Sequence, residues 1–150
     1  MKNNFLIIFI IFYHILLLDT VFAKEIEFDA SEIEISNDQN LTTANNGTAK
    51  IKDEEIIIEG VKIEYFKDKA LIIVNEGKIL KIDFNIEIKS EKIKYNLESG
   101  VINFDNKVLI DDKKNNLIIY SDKIIYNLTS KKIIGEGTNE IIDDFKNNYQ

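Results

Sequence analysis

The chain has 150 residues and a net charge of −7, with no cysteine and a single histidine, at position 14. Its length favours one domain, and its acidic balance argues against nucleic acid and anionic membrane surfaces as partners, because both require basic patches. The lack of cysteine excludes disulfide bonds and acylation at a cysteine.

The N-terminus is typical of a secretory signal. Lys2 precedes an apolar run over residues 5–18, and the small-residue site Val21-Phe22-Ala23 follows it. The run has about 14 residues, whereas a membrane-spanning helix needs roughly 20, which favours cleavage after Ala23 over an uncleaved anchor. We therefore predict a signal peptide at 1–23, one domain at 24–142 and a short polar tail at 143–150.

The rest of the chain repeats one short pattern about every 30 residues. Each copy has a large apolar residue, a small residue two positions later, an isoleucine three positions after that, and then mostly a tyrosine. The four copies begin at Phe28, Ile58, Ile88 and Ile119. A fixed period of this kind indicates a stack of one supersecondary unit that does not bury its apolar face alone.

Apolar and polar residues alternate after residue 23, as in the segment 80–89 (LKIDFNIEIK). A period of two is typical of half-buried strands, and clusters of turn-forming residues separate the alternating runs. The spacing places two strands in each repeat. It predicts an all-β chain of about eight or more antiparallel strands.

The small residue of each copy, at Ala30, Gly60, Ser90 and Ser121, predicts a bend. The apolar residues on either side of it are five positions apart, so in a straight strand they would lie on opposite faces. Either both faces are buried at this point, or each strand bends or bulges and resets its alternation. We favour the bend, because the polar residues between would otherwise be buried without partners. The repeated bend predicts a stacked trough with two walls.

A tyrosine column follows the bend in three copies, at Tyr65, Tyr95 and Tyr126. A regular aromatic residue in a stacked β-protein usually packs on its counterpart in the adjacent repeat, which contributes about 0.2–1 kcal/mol per pair. The alternative is that these rings line a ligand trough. We favour packing between repeats.

No residue pattern predicts catalysis or a cofactor. Residues 24–150 contain neither histidine, the commonest general base, nor cysteine, a soft metal ligand. The acidic clusters at 53–55, 111–112 and 143–144 lack the carboxylate spacing of a calcium loop. No Gly-rich phosphate loop or serine nucleophile elbow is present in the sequence. We predict that the protein is not an enzyme and binds no metal or cofactor.

Two copies carry a more specific pattern, at residues 88–96 (IKSEKIKYN) and 119–127 (IYSDKIIYN). Their shared form, Ile-x-small-Asp/Glu-Lys-Ile-x-Tyr-Asn, resembles the OstA-like repeat of the periplasmic lipopolysaccharide-transport family, which includes LptA, LptC and the N-terminal domain of LptD. Residues 75–83 (NEGKILKID) resemble the Gly-Asn-Val-x-Ile-x-Asp stretch of that family, with Lys78-Ile79 in place of Asn-Val. The likeness covers about residues 25–142.

The resemblance implies a twisted, open β-jellyroll in the periplasm that binds the acyl chains of lipopolysaccharide between its walls. It also implies that other OstA-like modules join by edge-strand addition in a bridge from the inner to the outer membrane. Exposing an acyl chain of about twelve carbons to water costs roughly 10 kcal/mol, so a carrier needs a continuous apolar trough. The inward-facing candidates for contact with the chains are Ile58, Ile63, Ile82, Phe84, Ile86, Ile88, Ile93, Phe104, Ile119 and Ile124.

Two alternatives stay open. The chain is either a stand-alone LptA-like protein or an LptD-type N-terminal segment, since a cleaved signal disfavours LptC, whose anchor stays in the membrane. The competing function is that of a structural or adhesive exported β-repeat protein, with a closed core and no lipid ligand.

Overall fold

The computed structural model describes residues 24–81, 85–142 and 148–149. Each strand of these ranges pairs antiparallel with the next one in the chain, and all belong to one open sheet with β1 and β9 at its edges. The sheet confirms the predicted open, antiparallel, all-β architecture. The strands are β1 (Ile26–Ile35), β2 (Leu41–Ile51), β3 (Ile56–Phe66), β4 (Leu71–Lys81), β5 (Ile86–Asn96), β6 (Val101–Asp112), β7 (Leu117–Asn127), β8 (Lys132–Ile142) and β9 (Asn148–Tyr149).

Several predictions concern residues outside the described ranges. The signal peptide at 1–23 and the candidate residues Ile82 and Phe84 lie there. Of the tail at 143–150, only the two residues of β9 are described, and they pair with the end of β8. Helical residues in the described ranges are limited to two 3-10 turns, Lys52–Glu54 and Lys67–Lys69, and neither has the length or apolarity to cross a membrane.

Polar side chains stabilise the turns at the strand ends. After β5, the side chain of Asn96 accepts a hydrogen bond from the backbone N–H of Ser99 at 2.7 Å. After β7, the side chain of Asn127 accepts one from the N–H of Ser130 at 2.8 Å. Asparagine side chains that bond to the backbone two or three residues on favour turns over continued strands, which explains why polar clusters mark the strand ends.

The small residues form one continuous column from β1 to β5. Gly47 of β2 pairs with Ala30 and Gly60, and Gly77 of β4 pairs with Gly60 and Ser90. Beside this column, the exposed Val61 lies between the buried Ile58 and Ile63. The alternation is therefore reset at the column, which excludes the arrangement in which both faces are buried.

Left-handed residues produce the bend, and they lie on the even-numbered strands. Asn46 of β2 has a φ of 48°, Glu76 of β4 a φ of 47°, and Gly137 of β8 a φ of 86°. The pairings of β5 to β8 also shift register at the bend. At Ala30 and Gly60, by contrast, pairing resumes without an extra residue. The predicted bend is therefore present, but at Ala30 and Gly60 it arises from a left-handed residue of the neighbouring strand and not from a bulge.

The bend divides the sheet into two walls. The first wall comprises residues 26–30, 47–51, 56–60, 77–81, 86–90, 108–112, 117–121 and 138–142. The second wall comprises residues 31–35, 41–45, 61–66, 71–75, 91–96, 101–105, 122–127 and 132–136.

A ring contact shows that the two walls face each other. The ring centroids of Phe28, in the first wall, and Tyr65, in the second, are 6.4 Å apart. Tyr65 pairs with Thr42 of β2, and Thr42 pairs with Ile35 of β1. Ile35 is seven residues beyond Phe28, so in a straight strand Ile35 and Phe28 would lie about 23 Å apart. The rings meet because the strands fold back on themselves, so the predicted two-walled trough is present.

Candidate functional site

The interior between the walls is apolar. On the first wall, the pairing of neighbouring strands aligns the inward residues in one row, in which Ile58 pairs with Ile79 and Ile79 with Ile88. A second row runs along the second wall, from Ile63 through Val74, Ile93 and Phe104 to Ile124. Among the described residues, no buried side-chain nitrogen or oxygen lacks a hydrogen-bond partner. The interior is therefore an apolar layer in which the buried polar side-chain atoms of the described residues have hydrogen-bond partners.

Seven of the ten predicted contact residues lie in these two rows: Ile58, Ile63, Ile88, Ile93, Phe104, Ile119 and Ile124. Ile86 and Ile119 are half-buried, and Ile82 and Phe84 lie outside the described ranges. The middle of the trough is thus filled by its own side chains. The fully or almost fully buried members are Ile58, Ile63, Ile88, Ile93, Phe104 and Ile124.

The interior opens at the edge strand β1. Ile33 and Ile35 pair with Ala44 and Thr42 and share the inward face of the second wall, yet they are 45% and 63% exposed. They line a groove of about 820 Å³ together with Phe28 and other residues. A residue of these rows is buried when strands lie on both sides of its own strand. In the described sheet, β1 has a neighbouring strand on one side alone. The apolar interior is continuous with this groove.

Sequence reasoning missed these open positions. Ile33 and Ile35 hold the same columns of the first repeat as Ile63 and Tyr65 hold in the second. The place of Ile33 and Ile35 in the first copy indicates their exposure, because an inward residue of an edge strand is covered by a neighbouring strand on one side only.

The interior is also partly open at β8, where Ile133 pairs with Tyr126 and is 43% exposed. A cavity of about 20 Å³, close to the size of one water molecule, lies between Ile56 and Ile88 of the first wall and Ile102 and Tyr126 of the second. Ile133 of β8 also lines it and is partly exposed. The two walls are therefore in close contact in the middle of the sheet.

The tyrosine column does not pack between repeats, so that prediction is wrong. Ile72 of β4 pairs with both Tyr65 and Tyr95 and separates them by a whole strand. The rings instead reach the opposite wall. Tyr65 contacts Phe28, and the Tyr95 hydroxyl donates a hydrogen bond to Glu54. The sequence shows that the tyrosines recur. It does not show how the strands fold back, and so it does not show which residues of the opposite wall the rings contact.

Burial makes Tyr95 an alkaline-sensitive residue. Burial, assisted by its bond to Glu54, raises the pKa of Tyr95 well above the ordinary tyrosine value of 10.0. The stability that the neutral ring contributes is complete below pH 10.0, and it is lost as the pH rises from 10.0 towards the pKa of the folded protein. We expect the free energy of unfolding to fall in this range, and to fall less in the Tyr95→Phe variant.

Chemical unfolding at a series of alkaline pH values checks this prediction, with ultraviolet absorbance of tyrosinate as the titration signal. Phenylalanine keeps the ring and removes the ionisable hydroxyl. Equal pH dependence in the two proteins would contradict the assignment to Tyr95.

A second groove, of about 890 Å³, lies along the bend, and glycine, polar and charged residues form most of its lining. Lys78 pairs with Glu59 at 3.0 Å and Lys107 with Glu91 at 2.5 Å, and all four residues belong to this lining. In the described ranges, no group of three or more histidine, cysteine, aspartate or glutamate residues could hold a metal ion.

Comparison with known proteins adds a structural likeness. No protein-family model matches the sequence, and no curated protein is similar to it. Among the solved structures, the chain is similar to LptH of Pseudomonas aeruginosa, described as the LptA-homologous periplasmic component of the lipopolysaccharide transport device. The match has a TM-score of 0.67 at 10% sequence identity, and covers 77% of this chain and 84% of LptH. At this identity the likeness shows the fold alone: the chain has the LptA-like β-jellyroll fold that the resemblance to the OstA-like repeat implied.

Proposed function

We propose that this chain is a non-enzymatic periplasmic lipopolysaccharide transport protein that shields acyl chains between its walls. One observation carries the proposal: an apolar interior that runs from two buried rows into an open groove at Ile33 and Ile35. The fold likeness to LptH supports it, because the protein with the same fold belongs to a lipopolysaccharide transport device.

The open groove offers apolar surface to an acyl chain. Each methylene group removed from water contributes about 0.8 kcal/mol, and the isoleucine and aromatic side chains of the groove supply apolar surface beside its polar and charged residues. Ordinary soluble proteins also expose single isoleucines, but these two are adjacent on one inward face and lead into the core. The surface is therefore a continuation of the interior.

The sheet edges favour partners of the same architecture. Within the described sheet β1 has a neighbouring strand on the β2 side alone, which leaves its outer row of backbone N–H and C=O groups without a strand partner, and β9 covers two residues of β8. We propose that other OstA-like modules join at these edges by strand addition. Such a junction would also cover Ile33 and Ile35, and would continue the apolar interior into the next module.

One observation favours the competing function. Ile58, Ile63, Ile93 and Phe104 are buried by their own neighbours, as in a structural β-repeat protein with a closed core. The two functions differ at the open end, because a closed structural protein has no use for lipid there.

Replacing Ile35 with aspartate is expected to lower lipid retention about tenfold or more, because a carboxylate in the groove must lose water when an acyl chain binds. The measurement is native mass spectrometry of protein purified from extract that contains lipopolysaccharide. Val61→Asp is the matched control, since Val61 is 51% exposed but lies at the bend outside the inward rows. Both variants should keep the thermal stability of the unmodified protein to within a few degrees.

Photo-crosslinking tests the same site from the ligand side. A crosslinker at Ile35 should label lipopolysaccharide strongly, and one at Val61 should not. Crosslinkers at Ile88 and Phe104 then report whether the chains reach the buried rows. Absence of bound lipid together with absence of labelling at all these positions would support the structural protein instead.

A further inference from the structure

A cluster of polar side chains joins three parts of the chain that are far apart in sequence. The Lys24 ammonium donates a hydrogen bond to a carboxylate oxygen of Glu54 at 2.5 Å and another to the backbone carbonyl of Leu97, also at 2.5 Å. The Tyr95 hydroxyl donates to the other carboxylate oxygen of Glu54. The Lys24 ammonium also lies 5.9 Å from the centre of the Tyr95 ring.

These contacts connect the free rims of the two walls. Lys24 and Glu54 lie where the first wall ends, just before β1 and in the turn between β2 and β3. Tyr95 and Leu97 lie where the second wall ends, at the close of β5 and just after it. The bend joins the walls at one side of the trough, and this cluster joins them at the opposite side.

The surroundings make these contacts stronger than an ordinary surface ion pair. The Tyr95 side chain is fully buried, while the side chains of Lys24 and Glu54 are 28% and 20% exposed. Hydrogen bonds to a charged group gain strength where water is partly excluded, whereas fully exposed pairs contribute little. The three side chains also satisfy one another's polar groups at the boundary of the apolar interior.

We propose that Lys24, Glu54, Tyr95 and the Leu97 carbonyl form a clasp that holds the rims of the two walls together. The clasp must open before an acyl chain reaches the buried rows. The proposal rests on the proposed lipid-binding function and adds the step that controls entry. The reason is steric: Ile63, Ile93 and Phe104 are covered in the clasped state, so a chain can reach them only where the walls separate.

Two conservative variants open the clasp without removing a buried ring. Glu54→Gln removes the charge, and Tyr95→Phe removes the hydroxyl. The matched controls are Glu55→Gln, one residue along in the same turn, and Tyr120→Phe, at a partly exposed tyrosine of β7. Neither Glu55 nor Tyr120 contributes to the clasp. Circular dichroism checks that all four variants remain folded.

A pair of spin labels measures the separation of the rims. Because the chain has no cysteine, labels attached at Asp53→Cys and Glu98→Cys report on exposed positions next to Glu54 and Leu97. We expect a single short distance in the unmodified protein and in the controls, and a longer or broader distribution in both clasp variants. Uptake of fluorescently labelled lipopolysaccharide should be about tenfold faster in the clasp variants, because one hydrogen bond to a charged group is lost.

The outcomes separate this proposal from the function on which it rests. If the unmodified protein takes up lipopolysaccharide and the clasp variants change neither distance nor rate, the clasp is overturned and the transport function stands. If the unmodified protein takes up none, the transport function is overturned and the clasp's role in entry falls with it. Faster uptake in the control variants as well would also overturn the clasp, since the effect would not be specific to these side chains.

Discussion

Replacing Phe104 with alanine is expected to lower the free energy of unfolding by about 3–5 kcal/mol. Phe104 is fully buried in the second-wall row, between Ile93 and Ile124 of the neighbouring strands. Loss of the ring removes apolar contact and leaves a cavity between walls that touch one another. For a domain of this size, such a loss is a large fraction of a total stability of about 5–15 kcal/mol. Chemical unfolding of the purified variant measures it.

Tyr120→Ala is the matched control for this prediction. Tyr120 is a large aromatic residue of β7, but it is 45% exposed. Its removal should cost less than about 1 kcal/mol, the scale of one cross-strand pair. Comparable losses in the two variants would contradict the view that the second-wall row is a packed core. The comparison also decides whether Phe104 acts as core when no lipid is bound.

Replacing Gly77 with alanine is expected to destabilise the fold by about 3 kcal/mol, an unusually large effect for the addition of one methyl group. The added Cβ would lie 2.5 Å from the backbone carbonyl oxygen of Glu59 and 2.6 Å from a methyl group of Val74. Glycine-to-alanine changes normally gain about 0.4–1 kcal/mol from the unfolded chain, but a clash with the neighbouring backbone outweighs that gain. Thermal unfolding and circular dichroism measure the change.

Gly135→Ala provides the control in another strand. There the added Cβ would meet only side-chain atoms of Asn139, which can move. We expect a loss below about 1 kcal/mol. A stable Gly77→Ala protein with an unchanged melting temperature would mean that the small-residue column is not held by close backbone contact at the bend.

Much of the fold could be predicted from the repeat because its physical cause is local. Alternation with a period of two identifies strands, and the odd spacing across Gly60 forces a reset of the inward face. The neighbouring strands obey the same rule, so stacking them yields two walls. The form of the bend was less predictable, since Asn46 and Glu76 adopt left-handed conformations on the strands that lack the conspicuous repeat.

The candidate site was predicted in its columns but not in its exposure. Ile63 and Ile33 hold the same column, yet one is fully buried and the other half exposed. The difference arises from their neighbours, since β3 lies between two strands whereas β1 is the edge of the described sheet. A periodic pattern assigns a face to each residue, but it does not say which strand covers it.

The sequence by itself determined the all-β class, the period of the stack, the position of the bend and the apolar character of the inward face, because each depends on spacing along one chain segment. Tertiary structure decided which tyrosine meets which partner, where the interior opens, and that Lys24, Glu54 and Tyr95 come together. These three residues are separated by 30 and 41 positions. They meet only because the strands fold back at the bend. Contacts between the two walls produce no repeating pattern in the sequence, so the sequence does not predict them.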